Sequence, residues 1–313
     1  MIIIVIISKN DIKRVNQMDQ LLSVFISVAD KKNFSRAAEE LHMTQPAVSQ
    51  QIQQLEKYIG AKLLLRTNKS VQLTKAGELV YVHAKEITAL YKRMSMLVNE
   101  LNNEPTGLLK IGASYTFGEY VLPHILAKMK NRFPNIIPSV QIGNTRDIAK
   151  AILSHEIDVG IVEGEIPHRN IYIKTVSTDQ MYIVAGGKYP IYFNKEVTRS
   201  QVEQENWIVR EEGSGTRDAT EKLFETLQIR PTRLMEFGST QLIKEAVEAG
   251  LGISYLSELT VKKERLLGTI QVLNVKGTPI KRNFSVITES VELHTKSMNL
   301  FIELIENYLK NQY

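Results

Sequence analysis

The stretch that most constrains this chain is residues 35–56, SRAAEELHMTQPAVSQQIQQLE. It holds two short helical patterns divided by a tight turn. Ser35 suits the N-cap of the first, with Ala37, Ala38 and Leu41 facing inward. A turn follows at His42-Met43. Thr44 suits the N-cap of the second, Pro46 is tolerated in the first turn, and Val48, Ile52, Leu55 and Ile59 recur as one buried stripe. Gln45, Ser49, Gln50 and Gln53 are then left pointing outward. Such a face suits a reader of the DNA major groove, because glutamine and serine can hydrogen-bond base edges while uncharged. A small helical domain that binds other proteins is the alternative.

The flanks extend this unit. Before it, Leu21, Leu22, Phe25, Ile26 and Val28 repeat at helical spacing from about Asp19 onward. After it, residues 62–66 and 70–73 alternate around Thr67-Asn68-Lys69, which predicts a two-stranded wing. The net charge of +5 on 313 residues permits a polyanionic partner, and its distribution is uneven. Between residues 55 and 75, Lys57, Lys62, Arg66, Lys69 and Lys75 face a single acid, Glu56.

From the N-cap Thr74 one long helix is predicted to about Asn102, with Val80, Ile87, Met94 and Leu101 at seven-residue spacing and Leu90 and Leu97 between them. No second helix follows to cover that seam. The pattern therefore favours a dimer over a helix packed on its own domain. The segment NNEPTG at residues 102–107 reads as a linker.

Beyond it the texture becomes βαβ, which predicts a largely parallel sheet. Strands are expected near residues 108–113, 139–142, 157–162, 181–185, 207–209, 233–237, 253–256 and 284–288; helices are expected at 117–132, 146–153, 217–227, 241–249 and 295–309. Two similar α/β halves imply a hinged pair of lobes with a ligand cleft where strand ends meet helix starts. Four such starts are rich in small polar residues: Ser114-Tyr-Thr116, Gly143-Asn144-Thr145, Gly213-Ser214-Gly215-Thr216 and Gly238-Ser239-Thr240. Each alone fits plain N-capping. Their recurrence in both halves predicts a small anionic or polar ligand held by Ser114, Thr116, Asn144, Thr145, Gly213, Ser214, Gly215, Thr216, Ser239 and Thr240.

Catalytic and metal chemistry find little support. Gly213-Ser-Gly215 lacks the third glycine of a dinucleotide loop, and no phosphate-loop or nucleophile-elbow motif occurs. The histidines at 42, 83, 124, 155, 168 and 294 are scattered without metal-ligand spacing. Asp158 and Glu163 flank a strand and could form an acid pair, although capping or solvation is the simpler role. We expect no catalytic residues, no metal and no cofactor. The absence of cysteine fits a reducing compartment, and the apolar run at residues 1–7 lacks the flanks of a signal peptide, so a cytoplasmic protein is expected. Residues 1–17 read as an extension, with Met18 an alternative start.

The segment 35–56 resembles the N-terminal domain of LysR-type transcriptional regulators. The similarity continues through Leu63-Leu-Leu-Arg66-Thr, Val71-Gln-Leu-Thr-Lys-Ala-Gly77, the long helix and the two-lobe half. It implies a winged helix-turn-helix at residues 18–77 and a dimerising linker helix at 75–106. It further implies a periplasmic-binding-protein-like effector domain at 107–313, with lobe I at about 107–180 and 284–313 and lobe II at about 181–283. By motif position Gln45, Pro46, Ser49 and Gln50 would face bases, with Gln53 on the same helix face. Ser35, Arg36, Thr44, Arg66 and Lys69 would hold phosphates or enter the minor groove. Many relatives carry arginine where Gln50 stands, and an acidic or polar residue where Leu65 stands. Ser-Tyr-Thr-Phe-Gly-Glu-Tyr at 114–120 and Gly-Ser-Gly-Thr-Arg at 213–217 look closest to the branch controlling carbon-fixation and sulfur-assimilation operons. The resemblance implies a homotetramer on double-stranded operator DNA, in which a small effector alters DNA bending and access of RNA polymerase. A solute-binding protein or an α/β enzyme with an unrelated helical domain is the rival reading.

Overall fold

The computed structural model describes the chain apart from residues 1–8, 67–70, 103–104, 165, 167–168, 190–195 and 311–313. Its contacts divide into two compact units, Met1–Asn99 and Glu100–Tyr313. Among the described residues no helix is long and apolar enough to cross a membrane.

The first unit is built on three helices, α1 (Lys9–Lys31), α2 (Phe34–Glu40) and α3 (Gln45–Ile59). Helix α1 starts ahead of the expected Asp19. Its Leu21, Leu22, Phe25 and Val28 bury against Ala37 and Ala38 of α2 and Val48, Ile52 and Leu55 of α3. The cap of α2 is not Ser35. Asn33, one residue before the buried Phe34, accepts the Ser35 and Arg36 N–H groups at 2.8 and 3.1 Å. Phe34 in the core fixes the first helical position, so Ser35 falls inside the first turn. Thr44 does cap α3, accepting from the Ala47 N–H at 3.4 Å. Gly60, in the left-handed region, ends that helix, and Ile59 before it is exposed rather than part of the stripe.

Strands β1 (Leu64–Arg66) and β2 (Val71–Leu73) pair antiparallel as the wing. The turn expected at Thr67-Asn68-Lys69 lies outside the described residues. Glu56 ties the wing to α3: its buried carboxylate accepts the Leu63 and Leu64 N–H groups at 3.0 and 3.4 Å and the Lys62 ammonium at 2.6 Å. Burial works against the charged form, yet these donors outweigh it and leave the carboxyl below its ordinary pKa. Helix α4 (Lys75–Asn102) begins at Thr74, whose hydroxyl accepts from the Gly77 N–H at 2.9 Å.

The second unit contains β3 (Gly107–Ser114), α5 (Tyr115–Tyr120), α6 (Leu122–Arg132), β4 (Ile136–Gly143), α7 (Thr145–Leu153), β5 (Val159–Glu163) and β6 (Tyr172–Gly186). It continues with α8 (Arg199–Gln204), β7 (Trp207–Arg210), α9 (Gly215–Leu227), β8 (Leu234–Phe237), α10 (Thr240–Glu248), β9 (Ser254–Ser257) and α11 (Glu258–Leu267). The last elements are β10 (Ile270–Val272), β11 (Ile280–Thr288) and α12 (Lys296–Lys310). The single helix expected at 117–132 is two, because Pro123 in the first turn of α6 lacks the N–H that an unbroken helix would need.

Among the described residues seven strands join in one sheet of order β10-β6-β11-β5-β3-β4, with β9 also on β6. Within it only the β3–β4 and β3–β5 pairings are parallel. The expected largely parallel sheet is corrected by β6 and β11, long strands that pair antiparallel with each other and serve both lobes. The divisions expected at 181 and 284 fall inside these shared strands. Lobe I packs around Ile111, Phe117, Ile125, Phe284 and Phe301; lobe II packs around Trp207, Leu223, Ile253 and Tyr255 beside the parallel pair β7 and β8.

Candidate functional site

In the first unit, the outward residues of α3 divide by exposure. Gln45, Pro46, Gln50 and Gln53 are exposed, as are Thr44, Ser35 and Arg36 at the helix starts, while Ser49 is half-buried. Apart from Ser49, the predicted neutral face and the two helix N-termini are thus open to solvent. Arg66 pairs with Val71 through the wing backbone. Lys69 lies outside the described residues. Lys62, counted in the basic patch, is committed to Glu56. On α4 the seam residues Ile87, Leu90 and Met94 are 52, 44 and 52% exposed, and Val80 packs partly on the core of its own unit.

In the second unit, α5, α7, α9 and α10 all begin at the carboxyl ends of strands, as expected for a ligand site in an α/β fold. Asn144 caps α7, Ser214 caps α9 and Ser239 caps α10 through their side chains. Ser114 makes no such cap; its hydroxyl donates to the Ile161 carbonyl at 3.3 Å, and that of Thr145 to the Glu163 carbonyl at 3.0 Å. Both hydroxyls are spent on the adjacent strand.

A guanidinium that sequence reading did not single out joins the two lobes. Arg282 of β11 is buried and donates to Asp179 Oδ2 at 2.8 Å, Thr216 Oγ1 at 2.9 Å and Thr116 Oγ1 at 3.0 Å, with Glu163 Oε2 at 3.2 Å. One side chain therefore holds both crossing strands and a helix start from each lobe. Asp179 also accepts from Ser257 at 2.6 Å, and Glu163 from the Phe117 N–H at 3.1 Å. Burial raises the Asp179 carboxyl above its ordinary pKa, against the pull of Arg282. Glu163 does not form the acid pair considered with Asp158. They stand at the two ends of β5, about 16–17 Å apart along the backbone at the rise of a strand, and Asp158 accepts the Lys110 N–H at 2.8 Å.

A second buried cation, Arg210 at the end of β7, forks onto Glu211 at 2.7 and 2.8 Å and donates to Thr240 Oγ1 at 3.0 Å. Its face lies 4.4 Å from the Tyr115 ring of the other lobe. Asn144 of lobe I donates to Glu211 at 3.2 Å.

The glycines of the 213–217 loop act as contact surfaces between lobes. A Cβ on Gly215 would lie 2.1 Å from the Glu163 carbonyl oxygen, so only glycine lets α9 approach β5 this closely. Gly213, at φ 87°, carries the exposed Arg146 side chain against it and accepts the Arg146 N–H at 3.0 Å.

Residues 20–78 match the model of bacterial regulatory helix-turn-helix proteins of the lysR family, and residues 102–310 match the LysR substrate binding domain. The chain belongs to the LysR family. This LysR-family chain is 33% identical to the HTH-type transcriptional regulator CysL of Bacillus subtilis, over 93% of its own length and 98% of CysL. It is 30% identical to the RuBisCO operon transcriptional regulator of Acidithiobacillus ferrooxidans, over 91% of its length and 92% of that protein. The regulatory domain of Synechocystis CcmR, solved in complex with 2-PG, superposes with a TM-score of 0.61 at 26% identity, over 66% of this chain and 99% of that one. The LysR-family chain is accordingly a ligand-responsive transcriptional regulator with a helix-turn-helix DNA-binding domain and an effector-binding domain, and its relatives agree with the resemblance to carbon-fixation regulators.

The polar groups between the lobes that sequence reading missed were Arg282, Asp179, Arg210, Glu211 and Tyr115, while Glu163 was weighed only as an acid partner of Asp158. A signal existed for two of them. Arg282 shares strand parity with Phe284 and Val286, and Asp179 with Met181 and Ile183, which puts both charges on buried faces.

Proposed function

We propose that this regulator binds a small oxyanion between its lobes and transmits lobe closure to operator DNA. The carrying observation is the state of three threonine hydroxyls. Thr116 and Thr216 each accept from Arg282, and Thr240 accepts from Arg210. With an acceptor site filled by a guanidinium, each hydroxyl keeps its own hydrogen to donate. Together with the starts of α7, α9 and α10 this gives a donor-rich surface suited to an acceptor-rich ligand. Ser114 and Thr145, spent on strand carbonyls, shape the wall; Asn144, Gly213, Ser214, Gly215 and Ser239 offer backbone and capping groups around it. No nucleophile with an activating base stands among these residues, which supports binding without chemistry. The 2-PG complex of the CcmR regulatory domain supports the same ligand class.

On DNA, Gln45, Pro46, Ser49, Gln50 and Gln53 face bases, and Ser35, Arg36, Thr44, Arg66 and Lys69 hold phosphates or enter the minor groove. The seam on α4 pairs two chains, and two dimers form a homotetramer in the cytoplasm. Effector closure changes the angle between dimers, the bend of the DNA and the access of RNA polymerase. An effector shifts this equilibrium only by its differential affinity for the two states.

The test is a thermal-shift titration with 2-PG, sulfate and phosphate on the full chain, its Thr216→Val variant and its Thr116→Val variant. An oxyanion at about 100 times its Kd stabilises by about 2.7 kcal/mol. We expect that increment in the parent chain and its loss in both variants. No response to any oxyanion, or an equal response in all three proteins, overturns the reading.

A further inference from the structure

One buried cation takes no part in the donor set described above. Lys244 lies one turn beyond Thr240 on α10 and is only 4% exposed. Its ammonium sits 2.6 Å from Glu264 on α11, within its own lobe. It also donates to the hydroxyl of Tyr120, at the end of α5 in the other lobe, at 3.2 Å, and lies 5.1 Å from the centre of that ring. Tyr120 in turn donates to Gln241 at 3.3 Å. Burial pushes the Tyr120 phenol above its ordinary pKa, so the ring stays neutral across the working range.

The Lys244–Glu264 pair is complete inside lobe II, and the Tyr120 contact adds to it only when the lobes are together. A desolvated ammonium against a ring and a hydroxyl gains more than an exposed one would. The other ties across the cleft, from Arg282, Arg210 and Asn144, use the ligand-facing loops themselves. This one joins the last residue of α5 to a residue one turn inside α10.

We propose that Tyr120 and Lys244 form a latch that holds the lobes closed without ligand. They are positioning residues: they set the fraction of molecules already in the binding-competent state. Apparent effector affinity scales with that fraction, so the latch fixes the concentration at which the regulator responds. The inference rests on the cleft reading only for its purpose, since latch closure is measured with no ligand present.

The chain has no cysteine, which makes site-directed labelling clean. Lys150→Cys on α7 and Lys222→Cys on α9, both exposed, carry a spin-label pair across the lobes for pulsed distance measurements on the full chain. The parent should give one short distance. Tyr120→Leu and Lys244→Met should each raise the ratio of open to closed forms about tenfold, the factor equivalent to about 1.4 kcal/mol. Tyr120→Phe, which keeps the ring, should raise it less. If Lys244→Met fails to fold with Glu264 stranded, the double variant Lys244→Met with Glu264→Gln removes that charge and gives the reading instead. Parent-like distances in both Tyr120→Leu and the lysine variant overturn the latch. A shift in both, together with no oxyanion binding, keeps the latch and discards the ligand reading.

Discussion

Replacing Arg282 by methionine should be among the most damaging single changes available to the effector domain. The guanidinium touches Asp179, Glu163, Thr116 and Thr216, and the two carboxylate side chains are 0 and 3% exposed. Removing one partner of such a cluster leaves buried charge without compensation, which costs about 3–5 kcal/mol. At about 2–4 °C per kcal/mol for a domain of this size, melting should fall by roughly 6–20 °C. The deficit should also depend on pH. An acid whose folded pKa lies above its unfolded value takes up a proton on folding, so its penalty is absent below the unfolded pKa and grows as pH rises through the folded one. Asp179 is already raised in the parent, and losing Arg282 raises it further. The variant should therefore recover part of its deficit on moving from neutral to mildly acidic buffer, and Asp179→Asn in its background should recover part at neutral pH. Thermal and urea melts of the three proteins check this. A methionine variant melting within about 2 °C of the parent, or a deficit that grows on acidification, would refute the reasoning.

Further outcomes follow from the same geometry. Gly215→Ala places a methyl 2.1 Å from the Glu163 carbonyl oxygen, so the lobes must part; small-angle scattering should show a more open effector domain and the oxyanion-induced thermal increment should vanish. Arg66→Ala should weaken binding to every DNA and flatten the salt dependence, whereas Gln45→Ala or Ser49→Ala should cost about 1–3 kcal/mol on cognate DNA only, in gel-shift titrations at several salt concentrations. Equal loss on scrambled DNA for Ser49→Ala removes it from the readout set. A glutamate at Ile87 or Met94, both half exposed on α4, should shift sedimentation toward monomer if that seam pairs two chains.

Much of this was legible in the chain itself, for reasons that differ by region. The helices of the first unit follow from periodicity, because Val48, Ile52 and Leu55 can bury only on one side of α3. The start of α2 was misjudged because Asn33 and Ser35 are both good caps, and the choice between them is made by Phe34 entering the core. In the effector domain the helix starts were readable from their polar residues, but their use was not. Ser114 and Thr145 reach strands that only the tertiary fold brings near. Thr116 and Thr216 are set by Arg282, 166 and 66 residues away in sequence. The shared strands were missed because a long strand serving two lobes changes its inward neighbours along its length, so its local pattern resembles two short strands. The stretch Gly213-Ser-Gly215 reads in sequence as a helix start that holds a ligand, and both of its glycines are occupied by contacts with the opposite lobe.

In the proposed mechanism, closure of one cleft changes how the paired helix-turn-helix units hold DNA. The most direct test is a nuclease footprint on the DNA beside the protein's own gene, recorded with and without an oxyanion already shown by calorimetry to bind the effector domain. The footprint should change in length or gain and lose hypersensitive positions as the bend changes, and Gly215→Ala should abolish the response while retaining DNA binding. An identical footprint at saturating effector, from a protein that demonstrably binds it, would contradict the claim.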